Sequence, residues 1–245
     1  MSELVTAAVL LIGDELLSGR TKDQNAGFIA ERLTELGIDL KEVRIVADEE
    51  AAIVEAVNAL RARHTYVFTT GGIGPTHDDI TADAVAKAFG IAIDFHPGVV
   101  AAMRKVFGDR LNEARMRMAR VPDGASLLYA EGNVAPGFVI GNVHVMAGVP
   151  KIMQSMFSAL TPHLRTGPRV ISETILGNLK EGDVGTPLAE IQRRHPAVSI
   201  GSYPFQDERG YNTNLVVRGR DAGEVSRAAA EIAVMLEEVR RQLAD

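Results

Sequence analysis

Hydrophobic and polar positions alternate in blocks along the first part of the chain. Residues 7–12 form a continuous apolar run that stops at Gly13, a pattern typical of a central parallel strand buried on both faces. Residues 23–36 carry an apolar stripe at helical spacing and are followed by a glycine, which favours a helix. A strand and a helix recur over residues 40–60 and again over 66–90. This order predicts an α/β fold, a three-layer αβα sandwich with a mainly parallel sheet.

Shorter elements follow residue 90. The pattern predicts them in this order: helices at 97–107 and 111–120, strands at 126–129, 137–140 and 143–146, and a helix at 150–160. Gly and Asn turns separate the strands, so we expect a hairpin at the edge of the sheet.

A Thr-Gly-Pro stretch at residues 166–168 is typical of a linker. The segment after it has the pattern β-α-β-β-α, ending in a long helix whose apolar residues recur every three or four positions. We therefore predict two domains, residues 1–166 and residues 167–245. The second is a small α+β domain with a KH-like element order.

Composition narrows the classes of function. The chain has 245 residues, 46% of them hydrophobic, and a net charge of −6, so an acidic globular surface argues against nucleic acid or an anionic membrane as the main partner. The absence of cysteine excludes disulfides, thiolate metal sites and a cysteine nucleophile. The first residues lack a basic segment and no apolar run reaches membrane-spanning length, so we expect a cytoplasmic protein.

The strongest chemical motif follows the third predicted strand. Ligands bind beyond the carboxyl ends of parallel strands, and glycines there let backbone N–H groups approach phosphate oxygens. Acidic residues a few positions later supply oxygen ligands for a hard divalent cation. The motif predicts a phosphate site at Thr70, Gly71, Gly72 and Gly74, with Asp78 and Asp79 as metal ligands and catalytic residues. It is neither a dinucleotide fingerprint nor a Walker A loop.

A purely structural interpretation of this motif is a tight turn with a capped helix. For Thr81 alone the cap is the better interpretation, because threonine is a common N-cap. For the whole segment the ligand site is better, because three glycines and two aspartates exceed what a cap needs. His77 is the only histidine within a candidate site, and we expect it to be a bystander.

Two further segments belong at the same edge of the sheet. After the first strand come Gly13, Asp14, Glu15 and, further on, Asn25, which either orient a ligand or metal or form a solvated loop. Asp48, after the second strand, is a weaker candidate of the same kind. Gly148 and Pro150 follow a later apolar strand; they bring N–H groups to the ligand or simply turn the strand into a helix.

These motifs together resemble the MoaB/Mog molybdopterin-binding superfamily. Residues 69–81 resemble its signature, and residues 13–16 with Asn25 resemble its first motif. The Pro-Thr-x-Asp-Asp version is most similar to the CinA (competence/damage-inducible) branch. The resemblance continues through residues 134–138 and 148–150, and through residues 200–204 it is similar to the second domain of CinA proteins and the N-terminal half of eukaryotic FAD synthases.

The resemblance implies a small phosphorylated ligand, a nucleotide or a pterin. One function that it implies is pyrophosphate cleavage in a nucleoside diphosphate derivative such as ADP-ribose or FAD, dependent on Mg, Mn or Co. The alternative is a non-catalytic molybdopterin- or nucleotide-binding protein of molybdenum cofactor metabolism. Because the sequence ends at Asp245, we expect neither the deamidase domain of full-length CinA nor the synthetase domain of FAD synthases.

A nucleic-acid docking role for the small domain is disfavoured. Its only glycines at KH-like spacing, Gly182 and Gly185, enclose an acidic residue where a phosphate clamp needs lysine or arginine.

The helices predicted between residues 97 and 120 bear on assembly. They contain a Met-rich apolar set without an obvious covering element, namely Met103, Val106, Phe107, Leu111, Met116 and Met118. These residues either pack on the sheet or form an interface. Because proteins of the resembled family are oligomeric, we predict a homo-oligomer, a dimer rather than a trimer.

Overall fold

The chain folds into two compact units, which meet between Gly167 and Pro168 in the sequence. The computed structural model describes residues 4–208 and 210–244. In that part of the chain, no helix combines the length and the apolar character that crossing a membrane requires.

The first unit contains eight strands and seven α-helices within its described residues. In chain order they are β1 (Thr6–Ile12), α1 (Asp14–Leu17), α2 (Asn25–Glu35), β2 (Asp39–Val46), α3 (Glu50–Arg61), β3 (Tyr66–Thr70), α4 (Thr81–Phe89), β4 (Ile93–Phe95), α5 (Pro97–Phe107), α6 (Glu113–Arg117), β5 (Arg120–Pro122), β6 (Ser126–Leu128), β7 (Gly137–Ile140), β8 (Val143–Met146) and α7 (Pro150–Leu160).

Six of these strands form one sheet in the order β2-β1-β3-β8-β7-β6. The strands β2, β1, β3 and β8 run parallel, and β7 pairs antiparallel with both β8 and β6. The predicted mainly parallel sheet and its edge hairpin are thus confirmed. All four parallel strands end at the same edge, which gathers the loops that follow them.

Alternation along β1 explains the three layers. Ala7, Val9 and Leu11 belong to a core that includes α2 and α7, whereas Ala8, Leu10 and Ile12 belong to a second core that includes α3 and α4. Because side chains on a strand point alternately to opposite faces, an unbroken apolar run is what a strand between two helix layers requires.

The helix predicted at 111–120 forms over only half of its length. Only α6 is α-helical there, with the Asn112 side chain accepting a 2.9 Å hydrogen bond from the Arg115 N–H at its start. The chain then extends as β5 and pairs antiparallel with β4, which the apolar pattern did not reveal. Burial of Ala119 and Val121 favours this extended path, since pairing satisfies the backbone while both side chains leave water.

The Met-rich set is also more covered than the sequence suggested. Met103 is fully buried, and Phe107, Leu111 and Met118 pack against its cluster. Val106 is the member with a largely exposed side chain.

The second unit is a small α+β domain of five elements. They are β9 (Ile171–Leu176), α8 (Glu181–Arg194), β10 (Ser199–Asp207), β11 (Gly210–Gly219) and α9 (Ala222–Ala244). The three strands form an antiparallel sheet in the order β10-β11-β9. Helices α8 and α9 pack on one face through a core that includes Leu215, Val217 and Ile232. Helix α8 begins at Glu181, so Pro187 lies inside it.

Candidate functional site

The backbones that follow β1, β3 and β8 approach one another closely at the carboxyl edge of the sheet. A Cβ atom on Gly71 would lie 2.2 Å from the Ile12 carbonyl oxygen, and one on Gly148 would lie 3.2 Å from the Gly71 Cα. The Gly71 N–H donates to the Met146 carbonyl at 3.2 Å. Gly71 also has φ of 105°, which disfavours any side chain. These contacts bring the segments beginning at Gly13, Gly71 and Gly148 together, as predicted.

Two hydrogen bonds from Thr81 stabilise the glycine loop, residues 71–74. The Thr81 hydroxyl donates to the Gly71 carbonyl at 2.9 Å, and its N–H donates to the Gly72 carbonyl at 2.9 Å. Thr81 is fully buried and is the first residue of α4; it is therefore neither a side-chain N-cap nor a group exposed to a ligand. A Cβ on Gly72 would lie 2.1 Å from the Thr81 hydroxyl oxygen, so only glycine fits there.

Consecutive backbone donors of the loop lack an acceptor among the described residues. The N–H groups of Gly72, Ile73 and Gly74 donate to no acceptor in the described ranges of the chain. The N–H groups of Gly148 and Val149, which precede α7, also donate to no acceptor among the described residues. Pro150 is the first residue of that helix, the position at which a missing N–H costs nothing. Free N–H groups at a loop and a helix start form a favourable environment for an anion.

The two consecutive aspartates have different surroundings. Asp79 Oδ2 accepts hydrogen bonds from the Thr76 N–H at 2.7 Å and from the Thr76 hydroxyl at 2.5 Å, so this oxygen holds the turn together. The Asp78 side chain is 58% exposed, and its pKa is lowered chiefly by the hydroxyl of Thr76. The imidazole of His77 is 98% exposed, and it borders an open groove between β4 and α6 rather than the cavity over the glycine loop.

Asp14 and Asp48 exchange hydrogen bonds on the other side of the glycine loop. The Asp14 N–H donates to Asp48 Oδ2 at 2.9 Å, and the Asp48 N–H donates to Asp14 Oδ1 at 3.3 Å. Burial raises the pKa of Asp48, and the nearby carboxylates of Asp14, Glu15 and Asp78 raise it further. Four carboxylates thus share one edge of the sheet, where their mutual repulsion favours a cation.

Asn25, the first residue of α2, is buried beside the loop. Its Nδ2 donates to the Gly148 carbonyl at 2.9 Å and to the Thr70 hydroxyl at 3.3 Å. Because a carbonyl oxygen only accepts, the first bond fixes which end of the amide is nitrogen. The other end, Oδ1, is buried without a hydrogen-bond partner among the described residues, and it is therefore an acceptor available to a ligand or a water molecule.

Two adjoining cavities lie over this edge of the sheet. The main cavity, about 380 Å³, lies between the glycine loop, Gly148 and the apolar side chains of Met118, Ile152 and Met156. The side pocket, about 180 Å³, lies over Asn25 and Thr70 and is bordered by Lys22. Glu15 and Gly148 border both. Sequence reasoning did not place Met118 and Met156 at the site. Met118 was assigned to the Met-rich set, and Met156 carries no pattern beyond that of an ordinary core.

No three histidine or acidic side chains lie together as a metal-binding group in the part of the chain that the structure describes. A divalent cation would therefore need oxygen atoms of the bound small molecule to complete its coordination. Mg²⁺ is commonly held in this way, through one or two carboxylates together with substrate phosphates. The residues present fit that mode of binding and do not fit a closed protein cage.

With this geometry in view, the relationship to known proteins is clear. Residues 8–166 match the family described as "Probable molybdopterin binding domain". The chain belongs to this molybdopterin-binding domain family. Residues 169–242 match a second family, described as "FAD synthase, middle domain". The resemblance inferred from the motifs is confirmed, and with it the molybdopterin-binding type of fold.

Individual relatives of the family agree with this assignment. A protein of Aeropyrum pernix is 36% identical over 254 residues, a match that covers 98% of this chain and 94% of the relative. A probable FAD synthase of Caenorhabditis briggsae is 30% identical over 239 residues; the match covers 86% of this chain and 46% of that protein, so the chain spans about half its length. The crystal structure of the protein CinA from Thermoplasma acidophilum, described as of unknown function, matches with a TM-score of 0.62 and 31% identity over 65% of this chain and 98% of that one.

Proposed function

We propose that this member of the molybdopterin-binding domain family binds a small phosphorylated nucleotide or pterin at the glycine loop. We further propose that it is a divalent-metal-dependent pyrophosphohydrolase acting on a nucleoside diphosphate derivative such as ADP-ribose or FAD. The observation that carries the proposal is the row of unpaired N–H groups at Gly72, Ile73 and Gly74, which border the main cavity. Buried or half-buried N–H groups without an acceptor are costly unless a ligand or water supplies one.

The carboxylates around the loop support a role for a metal ion. A phosphate that approached Asp14, Glu15, Asp48 and Asp78 alone would be repelled, because all four side chains are acidic. We propose that Asp78 and Asp79 hold the metal, Mg²⁺, Mn²⁺ or Co²⁺, together with phosphate oxygens. Asp78 is exposed and its lowered pKa keeps it ionised, while Asp79 retains Oδ1, which accepts no hydrogen bond from the described residues.

The proposed reaction follows from these positions. When bound, the metal would neutralise phosphate charge and activate a water molecule. The glycine-loop N–H groups hold the phosphate oxygens in place, and the Thr76–Asp79 turn keeps the loop rigid. The water oxygen bonds to one phosphorus and releases a proton to solvent, while the bridging P–O bond breaks, so the second phosphate leaves with the bridging oxygen. Two monophosphates result, and ADP-ribose therefore yields AMP.

Release of AMP is the direct test. The protein is incubated with ADP-ribose or FAD and Mg²⁺, Mn²⁺ or Co²⁺, and products are separated by chromatography. We expect Asp78→Asn and Asp79→Asn each to reduce AMP release by about 100-fold or more, because each removes a charged metal ligand. The asparagine at position 79 still accepts from Thr76, so the turn is preserved. Asp109→Asn, an exposed aspartate at the end of α5, is the matched control and should be neutral.

Metal binding supplies a readout that is independent of turnover. Mn²⁺ is titrated into the protein in the presence of inorganic pyrophosphate. The wild-type protein should bind Mn²⁺ more tightly than the Asp78→Asn variant does. Hydrolysis that persists in EDTA, or that both aspartate variants leave unchanged, would rule out these roles.

A second candidate is a binding protein without turnover, a carrier of molybdopterin or a nucleotide. The observation that favours it is the absence of a three-ligand metal group among the described residues, since binding alone needs no fixed metal. Calorimetry distinguishes the two functions. Tight binding of a nucleotide or a pterin phosphate, equal with and without EDTA and without hydrolysis under any of the three metals, would identify the carrier.

We also propose that the protein is a homo-oligomer, a dimer rather than a trimer. Strand β2 lies at the edge of the six-stranded sheet, and its Val43 and Ile45 side chains are each 45% exposed. Exposed apolar edge strands are prone to pair with a further chain. Light scattering of the full chain measures the mass directly, and a mass of one 26.3 kDa chain across the tested concentrations would refute the proposal.

A further inference from the structure

We propose that Arg117 binds the second phosphate of a two-headed pyrophosphate ligand, and that the open groove beside Arg117 holds the organic group attached to that phosphate. This inference rests on the proposed function of the glycine loop. It assigns a residue and a compartment that the motifs did not indicate.

The groove is a large opening on the far side of the glycine loop from Asn25. It has a volume of about 870 Å³ and runs between β4 and α6. Ile93, Phe95 and Met116 provide an apolar surface, and the Phe95 side chain is 45% exposed. An exposed aromatic ring with apolar neighbours is suited to stacking a planar heterocycle.

A narrow crevice of about 10 Å³, room for about one water molecule, borders both this groove and the main cavity. Gly74, Asp79 and Met118 border both the crevice and the main cavity. Arg117 and Arg120 border both the crevice and the groove. The site thus has one compartment on each side of the loop, with the proposed phosphate contacts between them. This arrangement suits a ligand in which two organic groups are joined through two phosphates.

Arg117 is the arginine at this junction that has donors to spare. Its Nη2 donates to the Asp79 carbonyl at 3.2 Å, and its Nε is buried without a partner. It forms no ion pair with a carboxylate anywhere in residues 4–208 or 210–244. By contrast, Arg120 is paired with Asp83, with N–O distances of 2.8 and 2.6 Å. A guanidinium with unused donors beside an anion site is typical of phosphate recognition.

The distribution of charge agrees with this role. The carboxylates of Asp14, Glu15 and Asp48 follow β1 and β2, whereas Arg117 borders the loop from α6. Arg117 thus brings a positive charge to the backbone of Asp79, a proposed metal ligand, so the metal and the guanidinium would together neutralise the two phosphates. The competing explanation is that Arg117 only supports the loop through the Asp79 carbonyl.

Calorimetry on the full chain with Mg²⁺ separates these explanations. The probes are AMP, inorganic pyrophosphate and ADP-ribose. The ADP-ribose is the analogue with a methylene group in place of the bridging oxygen, which the proposed reaction cannot cleave. Arg117→Gln retains a donor for the Asp79 carbonyl but removes the charge. We expect it to weaken the binding of ADP-ribose and of pyrophosphate by about tenfold or more, and the binding of AMP by much less. Phe95→Ala should weaken the binding of ADP-ribose about tenfold and leave the affinity for pyrophosphate unchanged. Arg115→Gln, which removes an arginine that stacks on Phe107, is the control that should change none of the three.

The outcomes are distinguishable. Wild-type protein that binds none of the three probes refutes the proposed function together with this inference. Wild-type protein that binds them, with affinities that Arg117→Gln and Phe95→Ala leave unchanged, overturns this inference alone. If Arg117→Gln lowers the melting temperature, Arg117→Lys replaces it: recovery of pyrophosphate affinity by lysine supports a charge contact, whereas equal loss of all three affinities indicates mere support of the loop.

Discussion

Asn25 and Gly148 are 123 residues apart in the sequence, and a 2.9 Å hydrogen bond joins the Asn25 amide nitrogen to the Gly148 carbonyl oxygen. The bond connects the start of α2 to the turn between β8 and α7. It leaves Asn25 Oδ1 as a buried acceptor without a partner among the described residues. One side chain therefore supports the edge of the sheet and also offers a contact to a ligand in the side pocket.

We predict that Asn25→Ala lowers both stability and ligand affinity. The substitution leaves the Gly148 carbonyl without its donor, which should cost about 2 kcal/mol of unfolding free energy. Loss of the Oδ1 acceptor should also weaken the binding of a nucleotide or pterin by about tenfold, because a ligand donor in the side pocket loses its partner. Urea unfolding and calorimetry measure the two effects.

The matched control for this prediction is Asn142→Ala. The Asn142 amide nitrogen donates to two backbone carbonyls, those of Arg61 and His64, at 2.9 Å each, and Asn142 does not border the cavities. Its loss should reduce stability by a similar amount and leave affinity unchanged. Equal losses of affinity in both variants would show that Asn25 acts only through folding.

Asp48→Asn should stabilise the metal-free protein at neutral pH. Burial and neighbouring carboxylates raise the pKa of Asp48, so the folded state holds this proton more tightly than the unfolded chain. The ionised group therefore destabilises the fold above its folded pKa, and the penalty disappears as the pH falls through the unfolded value of about 4. Asparagine still accepts from the Asp14 N–H.

Urea unfolding at several pH values measures this effect. We expect a gain on the order of 0.5 kcal/mol at pH 7 that shrinks towards zero at about pH 4. Asp123→Asn, at an exposed aspartate, is the control and should show neither the gain nor its pH dependence. A gain that is independent of pH would contradict the electrostatic explanation.

Gly71→Ala should be strongly destabilising. The added Cβ would meet the Ile12 carbonyl oxygen at 2.2 Å, and the backbone φ of 105° is unfavourable for alanine. We expect a loss of about 2 kcal/mol or more, measured by thermal or urea unfolding. Gly27→Ala is the opposite control. Gly27 lies in α2 with open space around it, so alanine should raise the free energy of unfolding by about 0.5–1 kcal/mol through its higher helix propensity. Similar losses in both variants would contradict the close backbone approach at Gly71.

His144 should make stability fall on mild acidification. Burial lowers the pKa of His144 from 6.5 to about 4, although the backbone of Val67 and Asn142 acts in the opposite direction. The unfolded chain binds the proton first, so stability is lost as the pH falls from about 6.5 to about 4, by about 3 kcal/mol in all. His144→Gln should remove this slope, whereas His163→Gln, at an exposed position, should retain it. An unchanged slope in His144→Gln would assign the effect to other groups.

The sequence by itself determined the layered architecture. A strand that is apolar at every position is stable only between two apolar surfaces, so residues 7–12 predicted a central strand before any partner was known. The bounds of β3, β8 and α7 were predicted because turn residues such as Gly71 and Pro150 interrupt the pattern at their ends. The site followed from the same rule, since parallel strands deliver their following loops to one edge.

Tertiary structure decided what short segments do. The predicted helix at 111–120 gives way after Arg117 to the pairing of β5 with β4. The sequence did not indicate this pairing, because three-residue strands are too short to show a period and depend on a distant partner. In the same way, the exchange between Asp14 and Asp48 joins residues 34 positions apart, and local pattern contains no signal for it.

The roles of individual polar groups also emerged only in three dimensions. Sequence analysis treated Asp78 and Asp79 as equivalent, yet one oxygen of Asp79 closes the turn with Thr76 while Asp78 faces solvent. Arg117 was overlooked because its position matters only through the backbone of Asp79. Residue type and spacing determine which groups reach an edge of the sheet, but hydrogen-bond partners and burial decide which of them remain free for a ligand.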